Sequence, residues 1–146
     1  MVALAAALLI SLVPTASADE AATGYRFATK AIEEMQAAAD VAHEDHRKRL
    51  KKGWGPAPSC LEAHALDIDN RLILANRERI ALAALMTNMD DVSYSADQVD
   101  RRVRTVAIAR SQVQQTVEAS GSCPLVRTPR QGRRNRAEQD EDLAAR

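Results

Sequence analysis

The feature that most constrains this chain is a long stretch without glycine or proline. Neither residue occurs between Pro58 and Gly121, and helix formers dominate there. Within it, apolar or small residues recur at Leu61, Ala65, Ile68, Leu72, Ala75, Leu82, Met86 and Met89, in steps that alternate four and three. Arg79 takes one position of this seam. Such a heptad-like period defines one face of a helix. Ile73, Ile80 and Leu85 are expected to widen the stripe into the broad apolar face of a bundle helix. Pro56 and Pro58 end whatever precedes, and Ser59 with Glu62 forms an S-x-x-E capping box.

The polar segment Asp90-Asp91-Val92-Ser93-Tyr94-Ser95 interrupts the pattern. A connection this short places the next helix antiparallel beside the first. Ser95 with Gln98 repeats the capping logic. Val99, Val103, Val106, Val113 and Val117 then carry a four-three spacing, with Arg110 in the gap. Ser120-Gly121 supplies a stop, and Pro124 prevents resumption. Cys60 lies 30 residues before Asp90, and Cys123 lies 28 residues after Ser95. Two antiparallel arms of roughly 40 Å therefore bring both cysteines to the same end. A disulfide there needs Cα atoms within about 7 Å. The loop it closes, about 64 residues, makes it worth on the order of 4 kcal/mol in the chain-entropy picture.

A third helical pattern runs from Asp19 to about Lys52. Ala28, Ala31, Ile32, Met35, Ala38, Ala39 and Ala42 share one face. This stripe is narrow and Ala-rich, which permits close approach while burying little area. Gly24 leaves the helix start open. The expected fold is all-α: a long antiparallel helical hairpin with the N-terminal helix packed on it, a disulfide-stapled three-helix bundle over residues 19–124. Beyond Pro124 apolar periodicity is lost. Arg127, Arg130, Arg133, Arg134 and Arg136 precede Glu138, Asp140, Glu141 and Asp142, so residues 125–146 are expected to form a disordered charged tail.

Residues 1–18 are expected to be a signal peptide. They contain no charge, and Val2 to Val13 is a run of 12 residues that is apolar except for Ser11. Ala16 and Ala18 supply the small A-x-A pair, so cleavage is expected before Asp19, although a basic n-region is lacking. Twelve residues span roughly 18 Å of helix, against a bilayer core of about 30 Å. The membrane is thus met only in transit, and the expected location is periplasmic or extracellular. In such an oxidising space a disulfide persists.

Lys+Arg and Asp+Glu both total 20, so no global charge bias points to nucleic acid, and aromatics are 3% of the chain, too few for stacking platforms. No G-x-S-x-G, glycine-rich phosphate loop, H-E-x-x-H or C-x-x-C-H occurs. A non-catalytic role is therefore expected, with a protein or envelope component as partner and no resident cofactor. Two alternatives rest on particular residues. The run Arg47, Lys48, Arg49, Lys51 and Lys52 either faces an anionic envelope surface or simply complements the helix dipole. Trp54, the only Trp, either caps the disulfide end, the expected case, or is exposed as an anchor for a partner.

His43, His46 and His64, with Glu62, fall near one end and offer donors for a divalent transition metal or a haem carrier. Solvated histidines give the same pattern. Arg79 and Arg110 at seam positions are expected to snorkel to the edge, the other possibility being ion pairs with Glu33 and Glu34. In architecture alone the reading resembles periplasmic stress chaperones and metal-resistance proteins of the Spy and CpxP kind. Their L-T-x-x-Q repeats are absent here, and shared architecture does not imply shared function.

Overall fold

The computed structural model describes residues 18–87 and 96–127. Three helices make up most of them: α1 Ala18–Leu50, α2 Pro58–Thr87 and α3 Ala96–Ser120. Two short strands follow α1 and α3, β1 Trp54–Pro56 and β2 Leu125–Arg127. The expectations for residues 1–17, for Met89 and the polar connection Asp90 to Ser95, and for the tail from 128 to 146 lie outside the described residues.

Contacts set the helix order. Cys60 is bonded to Cys123, Asp67 accepts a hydrogen bond from Thr116 at 2.7 Å, and Glu78 pairs with Arg102 at 2.8 Å. Rising numbers on α2 meet falling numbers on α3, so the two run antiparallel. α1 lies beside both. Its Gly24 faces Leu82, Val99 and Val103, and its Glu34 meets Arg110. One apolar core fills the space between the three helices. Met35, Ile68, Leu82 and Val106 are its largest fully buried side chains, each contributing on the order of 2 kcal/mol by removal from water.

The periodicities locate most of this core. Ala65, Ile68, Leu72, Ala75 and Leu82 of α2 are buried, as are Val99, Val106 and Val113 of α3. Ala109, which the valine spacing passes over, is fully buried beside them. The expected widening of the α2 stripe is only partly right. Leu85 is buried, whereas Ile73 and Ile80 are 60% and 65% exposed. Leu85 lies on the α2 side that meets its neighbours, and the two isoleucines lie on the far side. Met86 and Val117, near the seam ends, are also exposed in part, at 38% and 44%.

α1 packs closely because its face is small. Ala21, Ala28, Ala31 and Ala39 are at most 1% exposed. Gly24 sits inside this helix and marks no boundary. A Cβ there would stand 2.8 Å from Val103 Cγ2, a distance real structures essentially never show. Glycine is thus required by the approach of α3, which outweighs its poor helix propensity.

The start of α2 differs from the capping-box expectation. The amides of Cys60 and Leu61 donate to the Ala57 carbonyl, and Pro58 occupies the first helical position. Ser59 lies exposed within the first turn. α3 ends at Ser120 as expected. The amides of Gly121, Ser122 and Cys123 donate to carbonyls three residues back, tightening the exit toward the disulfide.

The segment around Trp54 and the first residues assigned to the tail pair as a two-stranded antiparallel ribbon, so residues 125–127 are not part of a disordered tail. Trp54 stands opposite Arg127, Gly55 opposite Val126 and Pro56 opposite Leu125. The Ala57 amide extends the pairing to the Pro124 carbonyl at 2.8 Å.

Candidate functional site

The disulfide joins Cys60 and Cys123 with Cα atoms 5.9 Å apart, as the arm lengths require. It fastens α2 to the exit of α3 directly behind the ribbon. Strand β1 enters this end from α1, and β2 leaves it after Cys123. Two chain reversals and one covalent bond therefore meet in a few residues.

Arg49 holds them together. It was expected in the exposed basic run, but it is 3% exposed. Its Nε donates to the Pro56 carbonyl at 2.5 Å and its Nη1 to the Lys52 carbonyl at 2.5 Å. Nη2 donates to the carbonyls of Gly55 at 3.2 Å and Val126 at 2.9 Å. The planar guanidinium is suited to this, because several fixed N–H groups can serve several carbonyls at once. Gly55 is part of the same arrangement. Its φ of 143° is one that other residues rarely adopt, and a Cβ there would press on Arg49 Nε at 3.1 Å. Arg49 thus leaves the candidate interaction surface and becomes its internal support.

The ribbon's outer face follows from the pairing. Opposed residues of an antiparallel pair project to the same side, so Trp54, Pro56, Leu125 and Arg127 share one face. Gly55, on the other, turns toward Arg49. Trp54 is 56% exposed and Leu125 62% exposed, so Trp54 does not cap the bundle as expected. The Arg127 guanidinium lies 5.8 Å from the centre of its ring, a cation–π contact. Leu50, at the end of α1, is also half-exposed. The last turn of α1 and the two lysines after it add the exposed Arg47, Lys48, Lys51 and Lys52 at this end. Glu44 pairs with both Arg47 and Lys48. These partners, led by the hydrogen bond from Arg47, hold the Glu44 carboxyl below its ordinary pKa. From His46 to Leu61 and from Ala119 to Arg127 there is no carboxylate side chain at all.

The histidines do not assemble as the metal reading requires. His43 Nε2 lies 2.9 Å from Asp69 Oδ2, an α1–α2 contact. His46 and His64 are half-buried, and Glu62 is exposed. The one set of metal-capable donors that converges among the described residues is Cys60, His64 and Cys123, within 4.8 Å of one another. Both sulfurs are committed to the disulfide, and a metal needs thiolates. His64 also borders a small cavity of about 40 Å³ with Asp45, Leu61 and Ile68. The spacing of Cys60 and His64, one helical turn apart, was the available signal for that pair.

Arg110 takes the less expected of its two options. Its Nε lies 2.6 Å from Glu34 Oε2, an ion pair by distance, although the N–H is not aimed at an acceptor. This pair borders a groove of about 440 Å³ between α1 and α3, lined also by Met35, Val113 and Gln114. Arg79 is half-buried. No described helix is long and apolar enough to cross a membrane. Comparison with protein-family models, with curated protein sequences and with solved structures found no match for this chain.

Proposed function

We propose that this protein is an exported, non-catalytic binding module of the cell envelope that docks through its stapled end on an anionic envelope surface. The observation that carries the reading is the outer face of the ribbon. Trp54 and Leu125 are exposed, Arg127 lies against the indole, and the exposed Arg47, Lys48, Lys51 and Lys52 fall at the same end of the bundle. An amphipathic ring beside cations suits a charged interface, where the indole lies at headgroup level and the basic groups meet anions. Exposing such residues on a ribbon pinned by Arg49 and a disulfide limits the entropy lost on docking. Export rests on the apolar leader followed by Ala16-x-Ala18 and agrees with the disulfide. The metal-carrier alternative draws less support, because its three histidines do not converge.

Trp54 is the only tryptophan in the chain, so its fluorescence reports the site directly. Titration with vesicles rich in anionic lipid should shift its emission to the blue. Neutral phosphatidylcholine vesicles should not, and salt should reverse the shift. Charge reversal at Lys51 and Arg127 should weaken binding at least tenfold. An unchanged spectrum with every anionic vesicle would defeat the reading. Capture of a stoichiometric envelope protein through Trp54 would replace it with a protein–protein interface.

A further inference from the structure

Apolar side chains occupy two opposite sides of α2. One side packs on α1 and α3. The other carries Leu66, Asn70, Ile73, Arg77 and Ile80, in steps of four and three, and all five are exposed. Leu66, Ile73 and Ile80 are 54%, 60% and 65% exposed. The outward faces of α1 and α3 are mainly polar, with residues such as Arg26, Lys30, Arg101 and Arg104. A helix apolar on both sides is normally covered on both. A second seam with coiled-coil spacing calls for another helix.

The seam itself says which helix fits. It is symmetric about Ile73, with Leu66 seven residues before and Ile80 seven after. Its flanking charge is not symmetric. The part of α2 before Ile73 carries Glu62, Asp67 and Asp69 with Arg71, and the part after it carries Arg77 and Arg79 with Glu78. We propose that α2 is a homodimer interface in which two copies of this chain pair antiparallel about Ile73.

In that arrangement Ile73 meets the partner's Ile73 on the two-fold axis, and Leu66 meets the partner's Ile80. Asp69 faces the partner's Arg77, and each contact occurs twice, as an isologous interface requires. Asp69 also holds His43, yet its side chain remains 36% exposed and retains acceptor capacity. A parallel pairing would instead set Arg77 on the partner's Arg77. The stripe from Leu66 to Ile80 covers about 21 Å of helix, placing the contact at the small end of specific interfaces. Monomer and dimer should therefore exchange in the micromolar range.

Sedimentation equilibrium of the purified protein across micromolar to millimolar concentration tests this. A reversible monomer–dimer equilibrium is expected. Ile73→Glu sets two like charges on the axis and should weaken it at least a hundredfold, with the melting temperature unchanged because the site is exposed. Asp69→Arg and Arg77→Asp should each weaken it, and the double exchange should restore it. Orientation is read by cross-linking under mild oxidation. Ile73→Cys should form a covalent dimer alone, and Leu66→Cys should do so only when mixed with Ile80→Cys. A monomer at every concentration, or self-linking of Leu66→Cys as fast as Ile73→Cys, overturns the proposal. So does a dimer that survives Ile73→Glu. A monomer that Ile73→Glu destabilises would instead mean that part of the same chain covers this face.

Discussion

The two ends of the bundle are fastened by different physics. At the stapled end the fastenings are directional: a disulfide, a ribbon of two short strands and one buried guanidinium serving four carbonyls. At the other end, around Gly24, they are steric. Val99, Val103 and Leu82 close on a residue without a side chain, and Tyr25 and Phe27 lean on the core nearby. Directional fastenings can hold backbone that is neither helical nor deeply buried, so that end can display Trp54 and Leu125 without losing shape. Steric fastening works only where helices meet over apolar faces. A binding surface is thus easier to build at the first end than at the second.

The comparison is tested most strongly by removing the covalent member. Reducing the bridge, or replacing both cysteines by serine, should lower unfolding free energy by about 4 kcal/mol, because a loop of 63 residues is freed in the unfolded chain. Helical signal at low temperature should stay. Unchanged stability in urea would mean that the bridge restricts the unfolded chain very little.

Next comes the polar member. Arg49→Met keeps the stem but removes the donors that four carbonyls accept from, and a loss of about 3 kcal/mol is expected. Arg49→Lys should not restore it, since a single ammonium cannot span the same fork. Trp54 emission should change with Arg49→Met at temperatures where the helices remain folded. If lysine substitutes without loss, the planar geometry is irrelevant and charge alone suffices.

A smaller effect is expected at the steric end. Gly24→Ala improves helix propensity by about 1 kcal/mol, yet overpacking against Val103 costs about 2 kcal/mol, leaving a net loss of about 1. Val103→Ala in the same chain should convert that loss into a gain relative to Val103→Ala alone. Strict additivity of the two substitutions would show that the close approach is not what requires glycine.

The smallest effect lies on the rim of the stapled end. Arg47 and Lys48 hold the folded-state pKa of Glu44 below its value in the unfolded chain. The stabilisation is therefore present above the unfolded value and lost as pH falls through the folded one. The difference between the parent protein and Glu44→Gln should be present at pH 7 and shrink as pH falls below the ordinary carboxylate range. A difference that grows on acidification would reverse the sign and remove the pairing as its cause.

Much of this was legible in residue spacing, and the failures are specific. The four-three rhythm of Ala65, Ile68, Leu72 and Ala75 locates the inner face of α2 because helix geometry repeats locally. That rhythm cannot tell whether Ile73 and Ile80 widen the face or sit behind it, since an apolar side chain reads alike in both places. The matched arms gave the Cys60–Cys123 pair. Nothing local marked the ribbon, whose strands are three residues each and lie far apart in sequence.

The sequence by itself determined three helices and the end of α3 at Ser120, because helix period, proline and glycine act over one or two turns. Only the tertiary structure decided which member of the run from Arg47 to Lys52 is buried. Arg49 differs from its neighbours in being turned toward carbonyls supplied by Lys52, Gly55, Pro56 and, 77 residues away, Val126. A guanidinium is buried where acceptors gather, and although three of these lie within seven residues of Arg49, the fourth arrives only after α3 has returned the chain to the end where α1 finished.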